Sequence, residues 1–144
     1  MNDQPQPPEN ENETGEQEKT KASGFGKIDW VDLTVADAPG IRNFYKAVVG
    51  WNSEDVDMGN YADYNMKMPE TNDTIAGICH ARGSNANLPG QWLIYVRVSS
   101  VQESVAECEK RGGKVLDGPR RMAGMNFCVI EDPAGAALAL MSEG

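Results

Sequence analysis

Two stretches of sequence decide the fold: residues 30–35, WVDLTV, and residues 93–98, LIYVRV. Every second residue of each stretch is a branched aliphatic residue, which is typical of a strand with one buried face. Each stretch is followed by an amphipathic helical pattern that ends at a glycine, Gly50 in the first case and Gly113 in the second. Both strands and both glycines are 63 positions apart, so the chain contains an internal repeat.

Both helical patterns begin with capping signals. Asp37 can cap the first helix, with Pro39 tolerated in its first turn. Ser100 and Glu103 have the spacing of a capping box. Three strand-like segments follow each helix, at 51–58, 61–68 and 74–80, and at 114–121, 125–131 and 136–142. The sequence therefore predicts an α+β fold of two tandem βαβββ modules, with curved mixed sheets around a cleft and the helices on the outer face.

Composition sets the boundaries of these modules. Residues 1–23 carry six acidic residues and two lysines, which predicts a disordered acidic tail. The first module then spans 24–80, and the second spans 91–144. Between them lies the segment 81–90, ARGSNANLPG, whose glycine, asparagine and proline residues are typical of a linker.

The charge and the cysteines exclude several classes of protein. A net charge of −9 without a basic cluster argues against a nucleic-acid partner. No apolar run approaches the roughly 18 residues of a membrane span, and the first residues lack a secretory pattern. The three cysteines, at wide spacing, predict free thiols in the cytoplasm rather than disulfides or a zinc site.

The face opposite the helices carries the candidate ligand-binding residues. Trp30 and Asp32 alternate with the aliphatic residues of the first strand, and Tyr95 and Arg97 do so on its repeat. Asp32 and Arg97 either pair across the pseudo-two-fold axis or hold an acidic ligand. Tyr95 is either a ligand contact or a core residue. Phe127 lies on the face of its strand opposite to that of Cys128 and Ile130, so it is expected to face the same cleft. We expect a small-molecule ligand in this cleft.

Tyr64 and His80 complete the candidate set. Tyr64 lies in a strand rich in tyrosine and methionine, which favours either an adaptable pocket wall or plain core. His80 is the only histidine, and it is either a pocket residue or an anchor of the linker. It follows Cys79 directly, and neighbours on a strand point to opposite faces, so the two do not form a natural nucleophile–base pair.

Three stretches resemble the vicinal oxygen chelate superfamily, also called the glyoxalase/bleomycin-resistance/dioxygenase fold. They are DWVDLTVADAPGIRNFYKAVVGW at 29–51, QWLIYVRVSSVQESVAECEKRGGKV at 91–115 and FCVIEDPAGAALALM at 127–141. The stretch at 76–96 is also similar to an uncharacterised glyoxalase-like subgroup. The resemblance implies a divalent ion held by His, Glu or Gln side chains, one from the first and one from the last strand of each module. The matching positions here are Trp30, Leu93, Ala139 and one of Ala76, Gly77 or Cys79.

At least three of these four positions cannot bind a metal, so we expect no metal and no cofactor. The leading hypothesis is a metal-free small-molecule binding protein of this superfamily. The alternative is a lyase, isomerase or dioxygenase, which requires a metal-ligand set at other positions or acid–base chemistry by Asp32, His80 or Tyr95. A third hypothesis is a structural or regulatory dimer with a filled cavity. The open sheet edges also predict a homodimer.

Overall fold

The computed structural model describes residues 24–144, and the predicted acidic tail, 1–23, lies outside the described residues. Eight strands and two helices follow the predicted order. The first module contains β1 (Ile28–Val35), α1 (Ala38–Val49), β2 (Asn52–Asp57), β3 (Ala62–Lys67) and β4 (Thr74–His80). The second contains β5 (Leu93–Arg97), α2 (Val101–Lys110), β6 (Lys114–Met122), β7 (Met125–Glu131) and β8 (Ala137–Ser142). No helix within residues 24–144 has the length and apolarity needed to span a bilayer.

The eight strands form one mixed sheet in the order β2-β3-β4-β1-β5-β8-β7-β6. The order reads the same from either edge once each strand is replaced by its repeat, so the modules are related by a pseudo-two-fold axis. Within each module the first and last strands are parallel, and β1 and β5 join the modules in antiparallel pairing. The predicted α+β architecture of two βαβββ modules is therefore confirmed.

The helix ends follow the capping signals of the sequence. Asp37 Oδ1 accepts a hydrogen bond from the Gly40 amide at 3.1 Å, and Ser100 Oγ accepts one from the Glu103 amide at 3.1 Å. Gly50 ends α1 at φ 90°, a left-handed conformation that glycine adopts without steric cost.

Both helices lie on the same face of the sheet. Val31 pairs with Ile94 across β1 and β5, and both residues belong to the set that alternates toward the helices. On this face α1 covers a buried cluster that contains Tyr64, Met66 and Ile78, and α2 covers a second cluster around Cys128 and Leu140. The opposite face, which we call the helix-free face, carries Trp30, Asp32 and Tyr95.

Candidate functional site

Two rows of side chains cross the middle of the helix-free face. One row joins Gly77 on β4, Asp32 on β1 and Leu93 on β5; the other joins Trp30, Tyr95 and Ala139 on β1, β5 and β8. The pseudo-two-fold axis relates the two rows, because each runs outward from the β1–β5 pair to the last strand of one module. Asp32 and Tyr95 are therefore equivalent residues of the two modules, and they lie on adjacent strands.

The same registers settle which residue occupies the fourth position of the metal-ligand set. Gly77 is the counterpart of Ala139, whereas Cys79 lies two residues further along β4, opposite Thr34. The four positions are therefore Trp30, Leu93, Ala139 and Gly77, and none of these side chains has a metal-coordinating atom. The residues do not fit a divalent ion. Among residues 24–144, no three His, Cys, Asp or Glu side chains are grouped as a metal site.

Asp32 is a buried carboxyl with one unsatisfied oxygen. Its residue is 8% exposed, and its Oδ2 accepts a hydrogen bond from Trp30 Nε1 at 3.2 Å. Oδ1 is buried and has no hydrogen-bond partner among the described residues. An unpaired buried polar atom costs about 1–3 kcal/mol of stability, so its presence calls for an explanation.

Burial raises the pKa of Asp32 from 3.8 to about 6, and the nearby carboxylate of Asp63 adds to the increase. The Tyr95 hydroxyl and the Trp30 indole N–H oppose the increase, because both favour the charged carboxylate. Burial and the Asp32 charge raise the pKa of Tyr95 well above its usual range, so its hydroxyl stays protonated. Near neutral pH Asp32 is thus mainly a carboxylate, and the Tyr95 hydroxyl lies near enough to favour this charge without forming a hydrogen bond of normal length to Oδ1.

The Trp30 indole can lie across β4 because residue 77 on that strand is a glycine. A Cβ atom at Gly77 would lie 3.1 Å from Trp30 Cζ2 and 3.2 Å from Asp32 Cβ, closer than most real Cβ contacts. The indole therefore lies across Gly77, with its N–H directed at Asp32 and part of its surface exposed. This arrangement provides an aromatic surface next to a hydrogen-bond acceptor.

On the helix-free face, the first module is polar. Asn65 pairs with Gly77 across β3 and β4, and Asp63 lies two residues before Asn65 on β3, so both side chains belong to the face that carries Asp32. Asp63 is 8% exposed, and Lys67 forms an ion pair with Glu54 at 3.1 Å. Burial, with Asp32 and Asp63 nearby, raises the pKa of the Cys79 thiol to about 12, which argues against a nucleophilic thiolate.

The second module is apolar on this face. Phe127 points toward it, as its alternation with Cys128 predicts, and its ring stacks on Tyr95 with centroids 5.7 Å apart. The buried cluster around this pair also contains Leu88, Leu93, Val129 and Ala139, and Trp30 packs against it. The cleft predicted for the helix-free face is therefore filled by side chains in this half.

The predicted pairing of Asp32 with Arg97 is wrong. Arg97 Nε donates to Asp29 Oδ2 at 2.8 Å, and its Nη1 lies 3.6 Å from Glu143 Oε2. Because β1 and β5 are antiparallel, Arg97 lies beside the beginning of β1, whereas Asp32 lies opposite Leu93 near the other end of β5. The repeat relates Asp32 to Tyr95 instead.

Of the two alternatives for Tyr64, pocket wall or core, the structure shows the core, so Tyr64 does not join the candidate residues on the helix-free face. Tyr64 pairs with Ile78, so its side chain enters the cluster under α1, and the Arg42 guanidinium lies 4.5 Å from its ring centroid. His80 lies at the end of β4 with its ring 5.2 Å from that of Tyr61, and its Nδ1 is 3.1 Å from Asp63 Oδ1. His80 is therefore linked to the helix-free face by its contact with Asp63.

Sequence reasoning missed Asp63 and Arg120. The signal for Asp63 is its alternation with Ala62 and Tyr64, which places a polar residue on the face away from the helix. Arg120 pairs with Asp117 at 2.9 Å, donates to Asn85 Oδ1 at 3.0 Å and lies 4.9 Å from the Phe127 ring centroid. Its pairing with Asp117 is local, but nothing in the sequence indicates its contacts with Asn85 of the linker and Phe127 of another strand.

An open depression of about 390 Å³ lies on the opposite side of the sheet, beside α2. Its lining includes Glu107, Cys108 and Arg111. Glu107 already pairs with Arg111 at 3.0 Å, and burial raises the pKa of Cys108. The depression therefore has neither an unpaired buried charge nor a reactive thiolate among these residues.

Comparisons with known proteins agree with this architecture. A family model described as Glyoxalase/Bleomycin resistance protein/Dioxygenase superfamily matches residues 27–140. "Anthracycline biosynthesis protein DnrV" of Streptomyces peucetius is 25% identical over 131 residues, or 83% of this chain, and the chain spans 48% of that protein's length.

Solved structures to which the chain is similar include methylmalonyl-CoA epimerases. A variant of the Streptomyces coelicolor enzyme with 2-nitronate-propionyl-CoA is 18% identical, with a TM-score of 0.47 over 83% of this chain and 96% of that chain. The Mycobacterium tuberculosis enzyme is 18% identical, with a TM-score of 0.46 over 81% of this chain and 87% of that chain. An uncharacterised protein from Methanosarcina mazei is 16% identical, with a TM-score of 0.42 over 82% and 94%.

Proposed function

This chain belongs to the Glyoxalase/Bleomycin resistance protein/Dioxygenase superfamily, and from that premise we propose that it binds a small molecule at Asp32 without a metal ion. The observation that carries the proposal is the unpaired Oδ1 of Asp32, buried at the centre of the helix-free face. A ligand hydroxyl that donates to this atom recovers the hydrogen bond that the fold leaves unmade. The unpaired oxygen does not stabilise the folded protein.

The Trp30 indole beside Asp32 indicates which class of ligand the site suits. The partly exposed Trp30 indole suits a planar aromatic ligand, and its N–H fixes the carboxylate that receives the ligand hydroxyl. The similarity to a protein described as an anthracycline biosynthesis protein is consistent with this class. We therefore propose a planar, hydroxylated aromatic compound as the ligand.

The metal-free part of the proposal rests on the chemistry of the four positions. Trp30, Leu93, Ala139 and Gly77 cannot bind a divalent ion, which disfavours a metal-dependent lyase, isomerase or dioxygenase at this place. Metal analysis of protein purified without an affinity tag tests this directly. We expect substoichiometric metal, and one equivalent of a divalent ion per chain overturns the metal-free proposal.

A fluorescence titration with daunorubicin, an anthracycline, tests the binding proposal. We expect saturable binding to protein dialysed against EDTA, and we expect Asp32→Asn to weaken it at least about tenfold, as for a hydrogen bond to a charged acceptor. Asp29→Asn is the matched control, because it alters the same strand outside the site and should leave the dissociation constant unchanged. The affinity should also fall as the pH drops through about 6, because Asp32 then becomes protonated.

Absence of saturable binding by folded wild-type protein overturns the proposal. Equal loss of affinity in the Asp32 and Asp29 variants also overturns it, because the effect would then not be specific to the site.

The chain is also proposed to form a homodimer in the cytoplasm. β2 and β6 are the edges of the described sheet, and an edge strand can pair with a second copy. On α1, Phe44 and Val48 are 53% and 64% exposed, an apolar surface that such a contact could cover. All three cysteines are free thiols, as expected in a reducing compartment.

A further inference from the structure

The linker between the modules covers part of the helix-free face. Of residues 81–91, Leu88 alone is buried, at 8% exposure. From Arg82 to Gln91, the described backbone hydrogen bonds of the linker join it to itself or to His80. The Ala81 amide donates to the Val35 carbonyl at the end of β1 at 2.9 Å, but the linker backbone beyond it is not part of the sheet, and its position depends on side-chain contacts.

Three linker side chains provide such contacts. The Arg82 guanidinium lies 3.8 Å from the Tyr61 ring centroid in the first module, and Leu88 and Asn85 contact the second module. Leu88 packs into the apolar cluster that contains Tyr95, Phe127 and Ala139. Asn85 Oδ1 accepts the hydrogen bond from Arg120 Nη2 at 3.0 Å, while Arg120 keeps its ion pair with Asp117. The contacts of Leu88 and Asn85 both lie in the second module.

The cluster under Leu88 is almost fully buried, although no helix covers this face. Tyr95, Phe127 and Ala139 are 3%, 1% and 0% exposed. Two charged groups lie beside this cluster: Asp32, which accepts from the Trp30 indole that packs against it, and Arg120, whose guanidinium lies 4.9 Å from the Phe127 ring centroid. Removal of Leu88 would therefore open an apolar space between an acceptor and a donor. Asp32 Oδ1 is covered in this structure, so a ligand reaches it only when a covering group moves.

We propose that the linker occupies the ligand site, with Leu88 in the place of the apolar body of the ligand and the Asn85 side-chain carbonyl in the place of a ligand carbonyl. The inference rests on the proposed function and refines its ligand class. A hydroxylated aromatic ketone can donate its hydroxyl to Asp32 and accept from Arg120 through its carbonyl. A neutral carbonyl suits this position better than a carboxylate, because Asp117 already balances the Arg120 charge.

Variants of the linker test this inference by the same daunorubicin titration. Leu88→Ala removes the side chain that the ligand must displace, so we expect the apparent affinity to rise at least about tenfold as the open state becomes more populated. Asn85→Ala removes the second contact at a half-buried position, and we expect a rise of about fivefold, typical of one neutral hydrogen bond. Leu140→Ala, at an equally buried leucine under α2, is the control and should leave the affinity unchanged.

The outcomes separate the two proposals. Wild-type binding with unchanged or weaker affinity in Leu88→Ala and Asn85→Ala overturns the linker inference and leaves the binding proposal standing. Absence of saturable binding by the folded wild-type protein overturns the binding proposal and, with it, the linker inference. Should Leu88→Ala fail to fold, the Asn85→Ala variant decides by the same comparison.

Discussion

Replacing Asp32 with asparagine is expected to make the protein more stable at pH 8. The pKa of Asp32 rises from 3.8 to about 6 in the folded protein. At about 1.36 kcal/mol per pKa unit, the charged carboxylate costs the folded state about 3 kcal/mol at this pH. Asparagine keeps the shape and an oxygen for the Trp30 N–H but carries no charge. A residue kept for ligand binding is expected to reduce stability in this way.

The sign of the pH dependence follows from the raised pKa. Between pH 3.8 and about 6, the folded protein binds more protons at Asp32 than the unfolded chain, so this cost decreases as the pH falls. It is fully present above about pH 6 and disappears below the unfolded value of 3.8. The stability advantage of Asp32→Asn over the wild type should therefore shrink by about 2.4 kcal/mol from pH 8 to pH 4.

Urea unfolding followed by circular dichroism at pH 8 and pH 4 measures this difference. Asp29→Asn is the control, and it should destabilise the protein, because it removes the ion-pair partner of Arg97 at 2.8 Å. The reasoning is refuted if Asp32→Asn is no more stable than the wild type at pH 8. It is also refuted if its advantage is the same at both pH values.

Four further predictions concern other parts of the molecule. Gly77→Ala should displace the Trp30 indole, because the new Cβ lies 3.1 Å from it, and should weaken daunorubicin binding several-fold in a titration. Arg97→Ala should lower the free energy of unfolding by about 1 kcal/mol in urea, since the ion pair is partly exposed, but leave ligand affinity unchanged. Cys79, with a thiol pKa of about 12, should resist iodoacetamide at pH 8 until the protein is unfolded, as mass spectrometry can show. Light scattering should give the mass of two chains, and a single-chain mass contradicts the homodimer.

The fold could be predicted because its signals are local and occur twice. The alternation in 30–35 and 93–98, the caps at Asp37 and Ser100 and the glycines after each helix all indicate the same module. Repetition at an offset of 63 positions then gives the two-module arrangement without any long-range information. The face of Phe127 followed from alternation alone.

The site could be predicted only in part, because it depends on strand register. The repeat relates Asp32 to Tyr95 by sequence offset, but the contact between them follows from the antiparallel pairing of β1 with β5. The same pairing separates Asp32 from Arg97, which sequence reasoning had joined. The choice between pocket wall and core for Tyr64 stayed open because an aromatic residue suits either face of a strand, and only its register with Ile78 fixes the side.

A two-dimensional ¹H–¹⁵N spectrum of the indole groups tests the central claim, ligand binding at Asp32, most directly. The chain has three tryptophans. The Trp30 N–H donates to Asp32 on the helix-free face, whereas the Trp92 N–H donates to Tyr45 at 3.1 Å on the helix side, so Trp92 is an internal control. Titration with daunorubicin in EDTA should shift the Trp30 signal and leave that of Trp92 in place, and the shift should be lost in Asp32→Asn. An unchanged Trp30 signal at saturating ligand, or a shift of Trp92 alone, contradicts the claim.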